Sequence, residues 1–304
     1  MSSSPARRRL ADTLRRTLYA TLEATWAEGF AVAGRLSTVR GRARGWSGVG
    51  GAPVVIVAAH PDDETAGCGG AACLHAESGD RVGVLVVTDG RASRALGLDP
   101  STMVARRSRE AHAAARELGV SSLELAGLPE GGWDLADGVA AIRRALAGLG
   151  PALVYAPSCV DYHPEHLRVA RACDAALREL GGRAPVVRVY EAFVPLGGDL
   201  VNCVADISPV ARRKRAALAC YASQRLGLAQ VARRDRYLAR LYTRGRAAEA
   251  FCELSAAGYA SLIGAARWTD VRPPFRGLRG RPVTDPLAYM VGWRARQRLR
   301  RVVG

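Results

Sequence analysis

Apolar runs alternate with longer segments of helical composition between residues 54 and 194. The runs VVIVAA (54–59) and RVGVLVVT (81–88) are almost continuously apolar, which is typical of strands buried on both faces of a parallel sheet. Further strands are predicted at 122–125, 152–156 and 186–194, and helices at 104–118, 137–149 and 164–180. Because parallel neighbours need a helical crossover, the alternation predicts a Rossmann-like, doubly wound, mainly parallel α/β sheet. In such sheets the active site lies at the carboxyl edge of the strands.

The two ends of the chain have a different pattern. Leu10, Leu14, Leu18 and Leu22 recur at steps of four, which predicts an amphipathic helix, and the glycine-rich stretch 45–53 predicts a linker after it. We therefore expect a basic N-terminal arm with its linker at 1–50, a main domain at 51–264 that includes a basic helical segment at 208–242, and a basic tail at 265–304. The arm helix packs on the main domain, on a second subunit of a homo-oligomer, or on anionic lipid.

Charge sharpens this division. The chain carries +16, of which +6 lies in residues 1–50 and +8 in residues 265–304, so the main domain keeps only +2. A nucleic-acid substrate would require a basic working groove, and we therefore expect no nucleic-acid partner. No apolar stretch is long enough to span a membrane. We expect a cytoplasmic protein whose basic arms contact the anionic inner membrane surface peripherally.

Two short motifs carry the chemistry. AHPDDE (59–64) follows the first strand, and the spacing of His60 and Asp63 lets an imidazole nitrogen and a carboxylate oxygen converge on one cation, a ligand pair that suits zinc. DYHPEH (161–166) follows the strand at 152–156 and offers a third ligand from another loop of the same sheet edge. Three of the five histidines lie in these two motifs, which indicates a metal site.

With these motifs the chain resembles the LmbE-like, or PIG-L, deacetylases, whose pattern is AHPDDE followed by HPDH. The second motif is HPEH here, with Glu165 where the family pattern most often has aspartate. The resemblance covers about 52–225 and also rests on TDG (88–90), Arg107-x-x-Glu110, Lys214-x-x-Ala217 and Ser223-Gln224.

The resemblance implies a role for each matching residue. His60, Asp63 and His166 hold one Zn²⁺ per chain, or another divalent metal, with coordination sites left for water and substrate. Asp62 accepts a proton from the attacking water, and His163 supports the oxyanion. Glu165 orients His163, although its extra methylene displaces the carboxylate from the position that aspartate would give it.

Two further residues are candidates for substrate binding. Asp89 closes the second strand at the same sheet edge, where it would contact a substrate hydroxyl, and Arg107 would contact the substrate from a helix. The alternative for Arg107 is an ion pair with Glu110 on a solvated helix face. The aspartates of the first motif have an alternative as helix caps. Gly67, Gly69 and Gly70 do not fit the G-x-G-x-x-G spacing of a dinucleotide site.

The sequence and the resemblance together predict a zinc-dependent hydrolase that removes an N-acetyl or other acyl group from an amino sugar or its conjugate. Such an enzyme would serve glycoconjugate or antibiotic biosynthesis. Two alternatives stay open: an amidase acting on thiol–sugar conjugates, and a non-catalytic member that binds a glycan or a partner. The presence of Asp62 argues against the last, because binding alone needs no general base.

Overall fold

The computed structural model describes residues 43–267 without 162, 193, 199, 225–227 and 229, residues 293–303, and the single positions 14, 18, 21, 25 and 29. Its strands are β1 (Arg44–Gly45), β2 (Pro53–Ala58), β3 (Arg81–Thr88), β4 (Ser122–Leu128), β5 (Leu153–Pro157), β6 (Val186–Tyr190), β7 (Cys203–Asp206) and β8 (Ala248–Leu254). They form one sheet in the order β1-β7-β8-β6-β5-β2-β3-β4. The chain leaves β2 for β3 on one side and later returns to β5 on the other, so the sheet has a topological switch point beside β2.

Helices cover both faces of this sheet. They are α1 (Asp63–Glu77), α2 (Pro100–Leu118), α3 (Leu135–Leu149), α4 (Pro164–Arg178), α5 (Ala211–Cys220), α6 (Val231–Tyr242), α7 (Ala256–Ala265) and α8 (Trp293–Val303), with short 3₁₀ turns at Gly181–Arg183 and Ala222–Gln224. Helices α1, α2 and α5 pack together on one face, and α3, α4, α7 and α8 pack together on the other. This arrangement is the predicted doubly wound α/β fold.

The apolar run of β2 shows why the central strands carry almost no polar residues. Val55 and Val57 belong to the hydrophobic cluster on one face, whereas Val54 and Ile56 belong to the cluster on the other. Side chains alternate across a strand, so a strand covered by helices on both faces must be apolar at successive positions. The predicted strands and helices up to residue 180 are confirmed, with ends that shift by a few residues.

The C-terminal part departs more from the prediction. Strand β6 ends at Tyr190 rather than continuing to Val194. The described part of the segment 208–242 contains helices α5 and α6, with a 3₁₀ turn between them. Strands β7 and β8 were not predicted, and β8 pairs antiparallel with both β6 and β7. The sequence of β8, AEAFCEL, contains two glutamates, and Glu249 is buried. Because these glutamates interrupt the apolar run that is typical of an interior strand, the sequence pattern does not predict β8.

The glycine-rich stretch before β2 is packed on the domain rather than extended as a linker. β1 pairs with β7, and the Trp46 indole donates to Tyr155 Oη at 3.0 Å. The backbone N–H groups of Val49 and Gly51 donate to the Asp80 carboxylate at 3.1 and 2.6 Å. The division of the chain into three parts stays a prediction, but residues 44–51 are attached to the main domain.

Most of the N-terminal arm and the tail before α8 lie outside the described residues. The five described positions before residue 43 are helical and exposed, with Leu14 and Leu18 about 60% exposed. In the described part of the chain, no helix has the length and apolarity that crossing a bilayer requires.

Candidate active site

The carboxyl edge of the sheet opens into a cleft at the switch point. Loops after β2, β3, β4 and β5 surround it, together with the 3₁₀ turn that follows α5. The lining residues are His60, Asp62, Asp63, Ala92, Ser93, Arg107, Glu130, His163 and Gln224. The edge at which the sequence predicts the site is therefore the edge that holds the cleft.

Three of the predicted residues converge beside this cleft. Asp63 Oδ2 lies 3.2 Å from His60 Nδ1 and 3.2 Å from His166 Nε2. Ligands about 2.0–2.2 Å from one zinc ion are about 3.3 Å apart in tetrahedral geometry, so these separations fit a shared cation. The nitrogens of His60, His163 and His166 also lie within 4.8 Å of one another. Three histidines are thus an alternative donor set to the predicted pair of histidines with Asp63.

The second nitrogen of each predicted histidine ligand faces a carboxylate. His60 Nε2 is 3.3 Å from Glu130 Oε1, and His166 Nδ1 is 3.1 Å from Asp161 Oδ2. Metal-binding histidines usually have such a partner, because it fixes the tautomer and the ring orientation. Sequence reasoning assigned no role to Glu130 or Asp161. Both nevertheless follow a parallel strand within a few residues: Glu130 precedes two glycines, and Asp161 begins the motif DYHPEH.

The electrostatics of the cluster favour positive charge at its centre. Burial lowers the pKa of His60, but hydrogen bonds with Asp63 and Glu130 outweigh it and raise this pKa to about 9. Burial also lowers the pKa of His166, but Asp63 and Asp161 outweigh it and raise this pKa well above its ordinary value. Burial would raise the pKa of Asp63, yet the two histidines hold it well below its ordinary value. The donor set therefore fits a divalent cation chemically as well as geometrically.

Asp62 occupies a strained position next to this cluster. Its φ is +133°, in a region that residues other than glycine rarely adopt. Glu64 Oε2 accepts from the Asp62 N–H at 3.0 Å, and the Arg107 guanidinium lies 3.1 Å from Asp62 Oδ2. Burial raises the pKa of Asp62 to about 7 although Arg107 opposes the shift. The Asp62 side chain makes no helix-capping bond, so the helix-cap alternative does not explain it.

Arg107 and Asp89 organise the loops around the cleft. Arg107 is buried and donates to the carbonyls of Pro61 (2.6 Å) and Gly90 (3.3 Å). A Cβ at Gly90, which has φ +68°, would lie 2.4 Å from Arg107 Nη1, so this approach requires glycine. The Asp89 carboxylate accepts from the backbone N–H of Glu130 at 3.2 Å. Contact of either residue with substrate stays a prediction.

The alternative ion pair between Arg107 and Glu110 is not formed. Glu110 is buried and instead accepts from Ser223, through the backbone N–H at 3.0 Å and the hydroxyl at 2.5 Å. Glu110 also has a charged partner in Arg106, whose Nε lies 3.1 Å from Glu110 Oε1. Ser223 is part of the motif that extends the family resemblance, and its bond to Glu110 fastens the 3₁₀ turn to α2.

The structure gives Glu165 a different partner from the predicted one. His163 lies at the cleft, its ring edge-on to His60 with centroids 4.6 Å apart. Glu165 Oε2 accepts from the Trp133 indole N–H at 2.5 Å, and His163 Nδ1 has no hydrogen-bond partner among the described residues. Because α4 begins at Pro164, Glu165 is in its first turn, and the longer side chain extends to Trp133. The structure therefore does not show the contact by which Glu165 would orient His163.

The three glycines considered for a dinucleotide site lie inside α1 rather than in a phosphate-binding loop. A Cβ on Gly67 would lie 2.2 Å from the Tyr190 ring, and one on Gly70 would lie 2.6 Å from Ile207 Cγ2. These glycines let the helix approach β6 and the end of β7, which is a packing role.

A comparison with protein families matches the part of the chain that carries both motifs. The family model described as "PIG-L: GlcNAc-PI de-N-acetylase" matches residues 55–177, a segment that contains both motifs. The segment 55–177 is therefore similar to the PIG-L (LmbE-like) family. The residues after 177, which include β6 to β8 and the 3₁₀ turn at the cleft, lie beyond that match.

A curated relative supports the assignment over part of its length. The 1D-myo-inositol 2-acetamido-2-deoxy-alpha-D-glucopyranoside deacetylase of Kineococcus radiotolerans is 30% identical over 188 residues, which are 47% of this chain. The chain spans only 52% of the length of that relative.

Solved structures extend the likeness to the fold. A conserved protein of Thermus thermophilus has a TM-score of 0.55 at 29% identity, covering 65% of this chain and 92% of that one. The N,N'-diacetylchitobiose deacetylase of Pyrococcus horikoshii has a TM-score of 0.56 at 20% identity, covering 68% of this chain and 85% of that one. The second likeness concerns the fold alone.

Proposed function

We propose that this protein is a divalent-metal-dependent N-deacetylase of N-acetylglucosamine-type conjugates, with Zn²⁺ as the resident metal. The observation that carries the proposal is the convergence of His60 Nδ1, Asp63 Oδ2 and His166 Nε2 beside a cleft that also holds Asp62. A matched PIG-L segment and a deacetylase relative that acts on an inositol-linked acetamido sugar support the choice of substrate class.

The protein's own residues divide the work of amide hydrolysis. His60, Asp63 and His166 would hold the divalent cation, which would supply Lewis-acid polarisation of the acyl carbonyl and of a water molecule. Asp62 accepts the proton that this water loses as its oxygen attacks the carbonyl carbon. His163 faces the same cleft and donates a hydrogen bond to the carbonyl oxygen as negative charge develops there. The C–N bond then breaks, the proton passes to the amine nitrogen, and acetate and the free amino sugar leave.

Arg107 has a supporting role in this scheme. Its guanidinium contacts the Asp62 carboxylate and the Pro61 carbonyl, so it fixes the proton acceptor relative to the metal ligand at Asp63. Ionised Asp62 is the form that accepts a proton, and the positive charge of Arg107 favours this form against burial.

The test is release of acetate by zinc-loaded protein from a panel of N-acetylglucosamine conjugates with inositol, lipid and antibiotic scaffolds, together with N-acylated thiol–sugar conjugates. Turnover of an N-acetylglucosamine conjugate is expected. Turnover of only the thiol conjugates would favour the amidase, and no turnover by a metal-loaded protein would favour a non-catalytic, glycan-binding role. Product amine and acetate are measured separately, so that acyl transfer is distinguished from hydrolysis.

The basic arms lead to a proposal about location. Helix α8 (WRARQRLRRVV) contains five arginines and no acidic residue, and Leu14 and Leu18 of the arm are exposed. We propose that these ends contact an anionic membrane surface peripherally, each basic residue adding about 1 kcal/mol near the surface. Flotation with phosphatidylglycerol vesicles at low salt should carry the protein upward, and phosphatidylcholine vesicles should not. Equal behaviour with both vesicles would rule the contact out.

A further inference from the structure

Helix α1, which begins with the candidate metal ligand Asp63, is broken in its middle. Cys68 has φ −145° and ψ 23°, which are not helical values. The break separates a first segment that carries Asp63 and Glu64 from a second segment that continues to Glu77. Sharp changes of direction in helices need an identifiable cause, and none is given by proline here.

A pair of charged side chains is inserted at the break. In a continuous α-helix the Gly70 N–H would donate to the Ala66 carbonyl. Here Glu249 Oε1 accepts from the Gly70 N–H and Glu249 Oε2 from the Ala71 N–H, both at 2.8 Å. The Ala66 carbonyl accepts from Arg234 Nη2. One carboxylate and one guanidinium thus take the two sides of one helical hydrogen bond.

These side chains come from elements that follow the matched family segment. Glu249 lies on β8 and Arg234 on α6, and both are almost fully buried. Arg234 Nη1 also donates to the Glu191 carbonyl at 3.0 Å, immediately after β6. Because β8 is paired on both sides in the sheet, the charge at the break is held on a rigid support.

The charges at the break are balanced by neighbours. Lys214 Nζ is 2.7 Å from Glu249 Oε1 and 2.7 Å from Asp235 Oδ2, and Asp235 Oδ1 is 3.3 Å from Arg234 Nη2. All of these side chains are at least nine-tenths buried. Apolar residues of similar volume often stabilise a core as well as a buried ion pair does, so stability alone is a weak reason for this cluster.

We propose that Glu249 and Arg234 are positioning residues, which hold α1 broken at Cys68 and thereby keep Asp62 and Asp63 at the metal site. The inference rests on the proposed function in that Asp63 is taken as a metal ligand. The first segment of α1 is only a few residues long, so its direction is set by what holds its two ends. The loop after β2 holds one end, and Arg234 holds the other.

The test is Co²⁺ binding by Glu249→Gln, followed by the visible absorption of the bound metal. Glutamine keeps the shape but removes the charge, and one of its polar atoms becomes a donor facing an N–H group. We expect Co²⁺ to bind about tenfold or more weakly and its spectrum to change, because displaced ligands lose affinity on this scale. Glu253→Gln is the matched control: it lies on the same strand and pairs with Arg188, not with the break.

Thermal unfolding is measured on the same samples to separate positioning from stability. If Glu249→Gln lowers the melting temperature while Co²⁺ affinity and spectrum stay those of the wild type, the inference is wrong. If Glu249→Gln does not fold, Arg234→Lys decides, because it keeps the buried charge but cannot bridge the Ala66 and Glu191 carbonyls. If the wild type does not bind Co²⁺, the proposed metal-dependent function is wrong. If the wild type binds Co²⁺ and the variants bind it equally well, only the positioning role of Glu249 and Arg234 is wrong.

Discussion

Two histidine–aspartate clusters lie in this domain, at opposite ends of the sheet. At the carboxyl edge, His60 and His166 share the Asp63 carboxylate beside an open cleft. At the other end, His75 Nδ1 lies 2.6 Å from Asp80 Oδ2, and His75 Nε2 lies 3.0 Å from the Tyr155 hydroxyl. Both clusters are buried, and a search by residue type alone would identify both as candidate active sites.

The two clusters differ in the partners of their polar atoms. In the His75 cluster each group faces a partner: Tyr155 Oη also accepts from Trp46 and Arg188, and Asp80 also accepts from backbone N–H groups. Burial, the largest effect, lowers the pKa of His75 despite Asp80. At the carboxyl edge the donors converge on one point, and the pKa values of His60 and His166 are raised. Convergence beside a cleft, rather than the residue pair itself, distinguishes a candidate site from a structural network.

The largest expected effect belongs to the proton acceptor. Asp62→Asn should lower the turnover number about 10²- to 10⁴-fold, the usual contribution of a positioned general base. Asparagine keeps the size and shape of aspartate, so the backbone conformation at position 62 can be kept. Acetate release and bound zinc are measured together. The control is Asp137→Asn, an exposed carboxylate on α3, and undiminished turnover in Asp62→Asn would remove Asp62 from the mechanism.

The next effect concerns the carboxylate behind a candidate ligand. Asp161 lies 3.1 Å from His166 Nδ1, and Asp161→Asn should weaken zinc binding about 10- to 100-fold by loosening the ring orientation. Competition with a chromophoric chelator measures the affinity. Asp80→Asn, which alters the equivalent neighbour of His75, should leave zinc affinity unchanged. Equal losses in the two variants would mean that the two clusters do not differ in the proposed way.

The same contrast explains what the sequence could predict. AHPDDE and HPEH occupy short loops after parallel strands, so topology alone brings His60, Asp63 and His166 to one edge. Glu130 and Glu249 were missed because their significance depends on elements distant in sequence, namely the loop after β4 and the antiparallel strand β8. The contact between Glu165 and Trp133 was not predicted, because it depends on the fold that brings Trp133 beside α4. The glycines of 45–53 predict a linker, whereas Trp46 and Asp80 attach that stretch to the domain.

A smaller effect is expected at the opposite cluster. His75→Gln should destabilise the fold by about 1–3 kcal/mol, because Asp80 and Tyr155 lose a buried partner. Each kcal/mol corresponds to a melting-temperature decrease of roughly 2–4 °C for a domain of this size. Zinc affinity and turnover, measured below the melting transition, should match the wild type. Loss of zinc from the folded variant would show that this network also supports the metal site.

The smallest expected effect is the pH dependence of the stability that His75 contributes. The groups that face His75 are Asp80 and Tyr155, with Arg188 beyond Tyr155, and together with burial they leave the pKa of His75 below its ordinary 6.5. As pH falls below about 6.5, the unfolded chain binds a proton at this histidine before the folded protein does, so the stability that His75 contributes decreases toward acid. The difference in free energy of unfolding between wild type and His75→Gln, measured with urea at intervals from pH 7.5 to 5.5, should therefore narrow on acidification. A difference that widened toward acid would mean that His75 is charged in the folded protein, and the contrast with His60 and His166 would be lost.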